Sequence, residues 1–211
     1  MSNSEPCRLY LITPPELDDA ALFASNLPNI FAAGDVACLQ LRLKTSSDEE
    51  ILQAIGFLQP VCEQADVALI LNDRPDLAAK SGCDGVHIGV EDMPYEDARA
   101  TVGEDAAVGV SCAASRHLAM TLADAGADYV AFGAFFPSPT KSDTESASLD
   151  LLEIWSQTTN VPCVAIGGIT PDNCTPIIKA GADFLAVSSA VWNHPDGPET
   201  AVRLFTERMA G

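Results

Sequence analysis

Residues 163–189, CVAIGGITPDNCTPIIKAGADFLAVSS, hold one complete unit of the architecture. An apolar run, Cys163–Ile166, breaks at a Gly-Gly pair and gives way to a helix predicted over Asp172–Ala180. Ala180-Gly181-Ala182-Asp183 then turns the chain into a second apolar run, Phe184–Val187. Neither run alternates polar with apolar residues, which is how strands covered on both faces read. The turn recurs as AGD at 33–35, AGAD at 125–128 and, in related form, SGCD at 81–84. In each a Gly ends a helix and an apolar run follows within a few residues, as a tight helix-to-strand turn requires.

Working outward, further strands are predicted at Arg8–Thr13, Val36–Leu41, Ala68–Asn72, Gly85–Ile88, Ala107–Ser111 and Tyr129–Gly133. Helical periodicity covers Asp18–Ala33, Asp48–Ala65, His117–Ala125, Leu149–Thr158 and Glu199–Met209, with shorter helices near Pro75–Lys80 and Tyr95–Val102. Asp18, Ser47, Ser115 and Ser148 or Asp150 stand where N-caps belong. Eight strands alternating with eight helices predict an α/β fold, a single (β/α)8 TIM barrel over residues 1–211, with a doubly wound open sheet as the alternative.

The 211 residues carry 30 Asp plus Glu against 11 Lys plus Arg, a net charge of −19 that argues against nucleic acid and anionic membrane as partners. An anionic substrate would need a local cationic pocket. Seven cysteines without a CxxC pair disfavour a disulfide framework and a zinc site and point to a reducing cytoplasm. The N-terminus reads as no targeting segment, and no apolar stretch reaches membrane-spanning length. Nothing in the pattern specifies an oligomeric state.

In such a barrel the working site lies at the C-terminal ends of the strands. There Gln40, Arg42 and Lys44 share one side of the second strand and its exit, as an anion or polar-ring site or as ordinary solvated charges. Asp73 and Asp92 follow the third and fourth strands; together they suit Mg²⁺, and each alone also reads as a helix N-cap. The sixth strand runs into Phe135-Phe136-Pro137-Ser138-Pro139-Thr140-Lys141 and a polar stretch expected to act as a lid. Gly167-Gly168 after the seventh strand and Ser188-Ser189 after the eighth suggest a phosphate cup. His117, His194, Trp155 and Trp192 read as surface or packing residues. No Ser/His/Asp or Cys/His pairing for a nucleophile is apparent.

Taken in order, QLRLK (40–44), NDRPDLA (72–78), DGVHIGVED (84–92), GVS (109–111), GADYVAFGAFFPSPTK (126–141), AIGGI (165–169) and AGADFLAV (180–187) resemble the thiamine-phosphate synthase family over nearly the whole chain. The resemblance implies a transferase that joins hydroxymethylpyrimidine diphosphate to thiazole phosphate, with Mg²⁺ as cofactor and small phosphorylated molecules as ligands. It implies that Gln40 meets the pyrimidine with His87 nearby, and that Arg42, Lys44, Asn72, Ser111 and Lys141 hold the diphosphate. It further implies Asp73 and Asp92 as metal ligands, Ser138 and Thr140 beside the thiazole phosphate, and Gly168, Val187 and Ser188 at its phosphate group. Arg42, Ser111 and Lys141 are the expected catalytic residues.

Several positions depart from the family's common pattern. Leu43 replaces a Glu and Val90 a Gln, changes expected to bear on pyrimidine fit or metal geometry; Ser138 replaces a Thr. Cys112-Ala113-Ala114 stands where many relatives carry a His. A related thiazole tautomerase group uses a His there as a proton carrier. Its absence, with both Asp73 and Asp92 present, favours the synthase over a tautomerase-like isomerase. A non-catalytic barrel that senses a phosphorylated ligand is the alternative of another class.

Overall fold

Side chains along a strand point alternately to opposite faces. Here both sets are apolar, so every strand needs cover on two sides. The computed structural model, which describes residues 6–89, 91–137 and 146–211, provides it with a closed ring. Its parallel strands are β1 (Arg8–Ile12), β2 (Val36–Leu41), β3 (Ala68–Asn72), β4 (Gly85–Gly89), β5 (Ala107–Ala113), β6 (Tyr129–Gly133), β7 (Cys163–Ile166) and β8 (Phe184–Val187). They pair in chain order, and β8 returns to β1 from Arg8↔Phe184 to Leu11↔Val187. The closed barrel stands in place of the open sheet. Against the sequence-based bounds, β1 ends one residue early, β4 one late and β5 two late.

Tyr10, Ile12, Cys38, Ile70, Tyr129, Val164 and Ala186 fill the interior. The positions between them, such as Leu9, Leu11, Leu39, Leu69 and Val130, pack outward against the helices. These are α1 (Ala20–Ala32), α2 (Asp48–Gln64), α3 (Pro75–Ser81), α4 (Tyr95–Val102), α5 (Arg116–Asp124), α6 (Leu149–Thr158), α7 (Thr175–Lys179), α8 (Ser189–Trp192) and α9 (Pro198–Met209). Ser47 forms a capping box with Glu50, and Ser115 and Ser148 cap α5 and α6 as expected. Asp19, not Asp18, caps α1 by accepting from Leu22 N. The helix expected over 172–180 shrinks to α7 because Asn173 closes a turn ahead of it, its Oδ1 accepting from Thr170 N at 2.8 Å. α8, four residues long, is too short to leave a periodic signature.

The recurring Asp of the helix-to-strand turns has a structural cause. Asp84, Asp128 and Asp183 each precede an even-numbered strand, and each accepts, through Oδ2 at 2.7 Å, a backbone N–H at the start of the strand before it. The recipients' partners are Leu69, Val108 and Cys163. Each Asp also donates its own N–H to the carbonyl of that same residue, at 3.0–3.1 Å. Side chain and main chain together therefore grip one residue twice, which fixes the register of three neighbouring strand pairs. Asp35, ahead of β2, differs: its carboxylate pairs with Arg8 Nε at 2.8 Å, and only its carbonyl reaches β1.

Asp183→Ala leaves the Cys163 N–H without its acceptor, at an expected cost of about 1–3 kcal/mol. A urea titration should show the midpoint falling accordingly. Asp183→Asn, which keeps an acceptor oxygen, should lose less.

Candidate active site

With the strand starts pinned, the opposite ends emerge level with one another. Gln40 is the last inward-facing residue of β2; it is buried, and its Nε2 donates to Tyr10 OH at 2.8 Å. Thr13 stitches the exits of β1 and β2 together: its N–H donates to Gln40 O, and its Oγ1 accepts from Arg42 N, both at 3.0 Å. Leu43 turns outward and is buried in the layer between barrel and helices. Its departure from the family's Glu therefore does not reach the mouth, contrary to the sequence-based expectation. Lys44, beyond the strand, extends to Asp73, with Nζ 2.9 Å from Oδ2.

Asp73 adopts a left-handed backbone, φ 61°, and its N–H donates to His87 O at 2.9 Å. Asn72 ends β3 level with His87. Asp92 folds back over the end of β4. Its N–H donates to Gly89 O at 3.0 Å, and a Cβ on Gly89 would lie 2.5 Å from Asp92 Oδ2. Neither carboxylate caps a helix: Arg74 and Pro94 occupy the N-cap positions of α3 and α4, without side-chain capping bonds. That removes the N-cap alternative for both. Arg74 is itself spoken for, clamped between Asp48 and Asp76.

Among the described residues no group of three or more His, Cys, Asp or Glu converges to form an all-protein metal cage. Two hard carboxylates at adjacent strand ends are the donor set that suits Mg²⁺, which fills its remaining positions with water and phosphate oxygens.

The interior beneath this mouth is polar in a way the sequence reading missed. Tyr10 and Tyr129 hydrogen-bond through their hydroxyls at 2.9 Å with rings edge-on at 6.0 Å. Gly109 makes room for them, since a Cβ there would lie 1.9 Å from the Tyr129 ring. Tyr129 OH lies 3.2 Å from His87 Nδ1, and His87 Nε2 lies 2.9 Å from Ser111 Oγ. Inward alternation on β1 and β6 was the available signal, but an inward Tyr reads as simple core.

A Ser–His pair is thus present, yet it lacks the chemistry of a nucleophile. No carboxylate orients the imidazole; Tyr129 occupies its other nitrogen. Burial lowers the His87 pKa to about 4, with Asp73 opposing and Arg42 adding to the fall. A base that weak does not activate serine near neutral pH.

Toward the other side of the mouth, Gly168 takes φ 65°. A Cβ on it would lie 2.8 Å from Phe136 Cβ and from Pro137 O, so only glycine seats the chain leaving β6 against the end of β7. The Val187 side chain is buried outward, leaving only its backbone to face a ligand. Ser188 Oγ donates to Thr13 O at 3.2 Å, and Trp192 Nε1 donates to Ile12 O at 2.6 Å. Trp155 and Trp192 pack as expected, and His117 is exposed. Ser138, Thr140, Lys141 and Val90 lie outside the described residues.

A family model for thiamine monophosphate synthase matches residues 9–191. The chain belongs to that family. Among thiamine monophosphate synthase relatives, the thiamine-phosphate synthase of Rhodospirillum centenum is 58% identical over 205 residues, covering 97% of this chain and 99% of the relative. That of Hyphomonas neptunium is 51% identical, covering 94% and 91%. The solved thiamine phosphate pyrophosphorylase of Pyrococcus furiosus superposes with a TM-score of 0.84 at 30% identity, over 96% of this chain and 95% of that one. The family's barrel is the fold seen here.

Buried His87 generates a pH prediction. Unfolded, it takes up a proton as pH falls through 6.5; folded, not until about 4. Between those values the unfolded state binds more protons, so acidification destabilises the fold, by about 3 kcal/mol at full extent. Urea unfolding at several pH values across the window should show that dependence flattened in His87→Asn.

Proposed function

We propose that this chain joins hydroxymethylpyrimidine diphosphate to thiazole phosphate, releasing pyrophosphate and forming thiamine phosphate. Membership of the family, at 58% identity over nearly the full length of a thiamine-phosphate synthase, carries the reading. The strand ends supply the chemistry it needs. Departure of pyrophosphate breaks a C–O bond and sends both electrons with the leaving group, so catalysis is largely stabilisation of that growing negative charge.

Arg42 and Lys44 at the exit of β2, Asn72 at the end of β3 and Ser111 on β5 hold the diphosphate. Asp73 and Asp92 would hold Mg²⁺, which when bound would neutralise charge on the departing phosphates. Gln40 fixes the pyrimidine edge, with His87 beneath it. The pyrimidine-methyl cation left behind is then attacked by the thiazole nitrogen, so no enzyme nucleophile is required, in keeping with the weak His87–Ser111 pair. Lys141 completes the diphosphate grip. By the family's pattern Ser138 and Thr140 are assigned to the thiazole phosphate, with Gly168, the Val187 backbone and Ser188 assigned to its phosphate group.

Partners on this reading are small phosphorylated molecules, and the acidic exterior suits an enzyme of the cytoplasm with no nucleic-acid partner. Among the described residues no helix is long and apolar enough to cross a membrane. The tautomerase alternative finds no imidazole at Ala113 or Ala114. The sensor alternative makes binding without turnover its outcome.

Purified protein mixed with both precursors and Mg²⁺ should release pyrophosphate and thiamine phosphate in equal amounts, and EDTA should stop both. Asp92→Ala and Lys141→Ala should each lower turnover about 10²–10³-fold with unchanged circular dichroism. Binding without product, or near-wild-type kinetics in either variant, would overturn the assignment.

A further inference from the structure

Five side chains form one hydrogen-bonded chain across the barrel interior: Gln40, Tyr10, Tyr129, His87 and Ser111. Only the first bond has a donor fixed by chemistry. An amide nitrogen gives a proton and takes none, so Tyr10 OH accepts from Gln40 Nε2. Tyr10 is buried at 3% exposure, and Tyr129 OH is the acceptor left for its own proton. Two protons do not share the space between those oxygens, so Tyr129 donates to His87 Nδ1. That nitrogen then carries the lone pair, and the ring proton sits on Nε2, which donates to Ser111 Oγ. Ser111 is the member of the chain that is partly exposed, and its own hydrogen is left for an acceptor in the mouth.

We propose that this relay couples recognition of the substrate's ring to stabilisation of its leaving group. The orientation of the Gln40 amide, passed through Tyr10, Tyr129 and His87, makes the Ser111 hydroxyl a donor to the departing diphosphate. The inference rests on the roles given to Gln40 and Ser111 in the proposed function. With Nε2 against Tyr10, Gln40 keeps Oε1 to accept from an N–H on the ring edge, and a ring offering one reinforces the amide's orientation. The reversed amide would accept from Tyr10 and turn every bond around. Ser111 would then donate inward to His87 and present only lone pairs to an anion. Tyr10, Tyr129 and His87 are positioning residues; of the three, none needs to touch the reacting atoms.

Nitrogen-15 NMR of the histidine-labelled, full-length protein reads which imidazole nitrogen carries the proton, with His87→Asn identifying the His87 signals. The wild-type proton is expected on Nε2. Gln40→Glu, recorded at alkaline pH so that the side chain is an ionised acceptor, should move it to Nδ1. Tyr10→Phe should populate both tautomers and lower turnover on the order of tenfold, the loss of one oriented donor, with little change in KM for the diphosphate substrate. A wild-type proton on Nδ1, or a proton that stays on Nε2 in both variants, overturns the relay. Ser111→Ala separates the relay from the reading beneath it. Unchanged turnover in that variant with a responsive tautomer removes Ser111's diphosphate role, and with it the coupling, while the proton order stands. A large loss of turnover with an unresponsive tautomer keeps the role and refutes the relay.

Discussion

The mouth of this barrel depends on register, and in three of its strand pairs (β3–β4, β5–β6 and β7–β8) register is held at the far end by the doubled grip of Asp84, Asp128 and Asp183 on the preceding strands. A slip of one residue would turn each inward side chain outward, because the period of a strand is two. Gln40, His87 and Ser111 would then face helices, and leucines would face the mouth. The apolar sets on the two faces resist such a slip collectively. The aspartates resist it at a defined residue, with a hydrogen bond that has no substitute one position along.

The same alternation divides labour within the strands. Outward positions carry most of the aliphatic bulk and weld the ring to its helices. Inward positions are more varied: two tyrosines, glycines such as Gly109, a glutamine, a histidine and apolar residues from alanine to isoleucine. Two phenols fit inside because Gly109 presents no side chain at their level. Polar groups are tolerable there because they satisfy one another; among the described residues no buried side-chain nitrogen or oxygen lacks a partner. The interior is thereby rigid just below the place where ligand must be positioned.

Much of this was legible in the sequence. Short runs without polar alternation, separated by helical periods and repeated Gly–Asp turns, gave the barrel and nearly all its strand bounds. The positions at the strand ends followed from the barrel, since a (β/α)8 fold directs attention to the C-terminal ends of its strands. What escaped were features of three-dimensional partnership. Tyr10 and Tyr129 are 119 positions apart, and nothing local marks them as bonded. The turn at Asn173 and the four-residue α8 are set by side-chain hydrogen bonds and close packing, to which hydrophobic period is blind. The opposite error arose at Leu43: beside Arg42 and Lys44 it looked like part of the site, yet parity along the strand sends it the other way.

The seam between the first and last strands has a temporal implication. Thr13 links β1 to β2 and receives Ser188, while Ile12 receives Trp192, so the N-terminal strand is fastened on one side by its sequence neighbour and on the other by residues some 175–180 positions later. During synthesis β1 can pair with β2 early, but its second edge has no partner until β8 has been made. A nascent chain must therefore carry an open sheet edge through most of its translation, the state in which strands are most prone to recruit foreign partners.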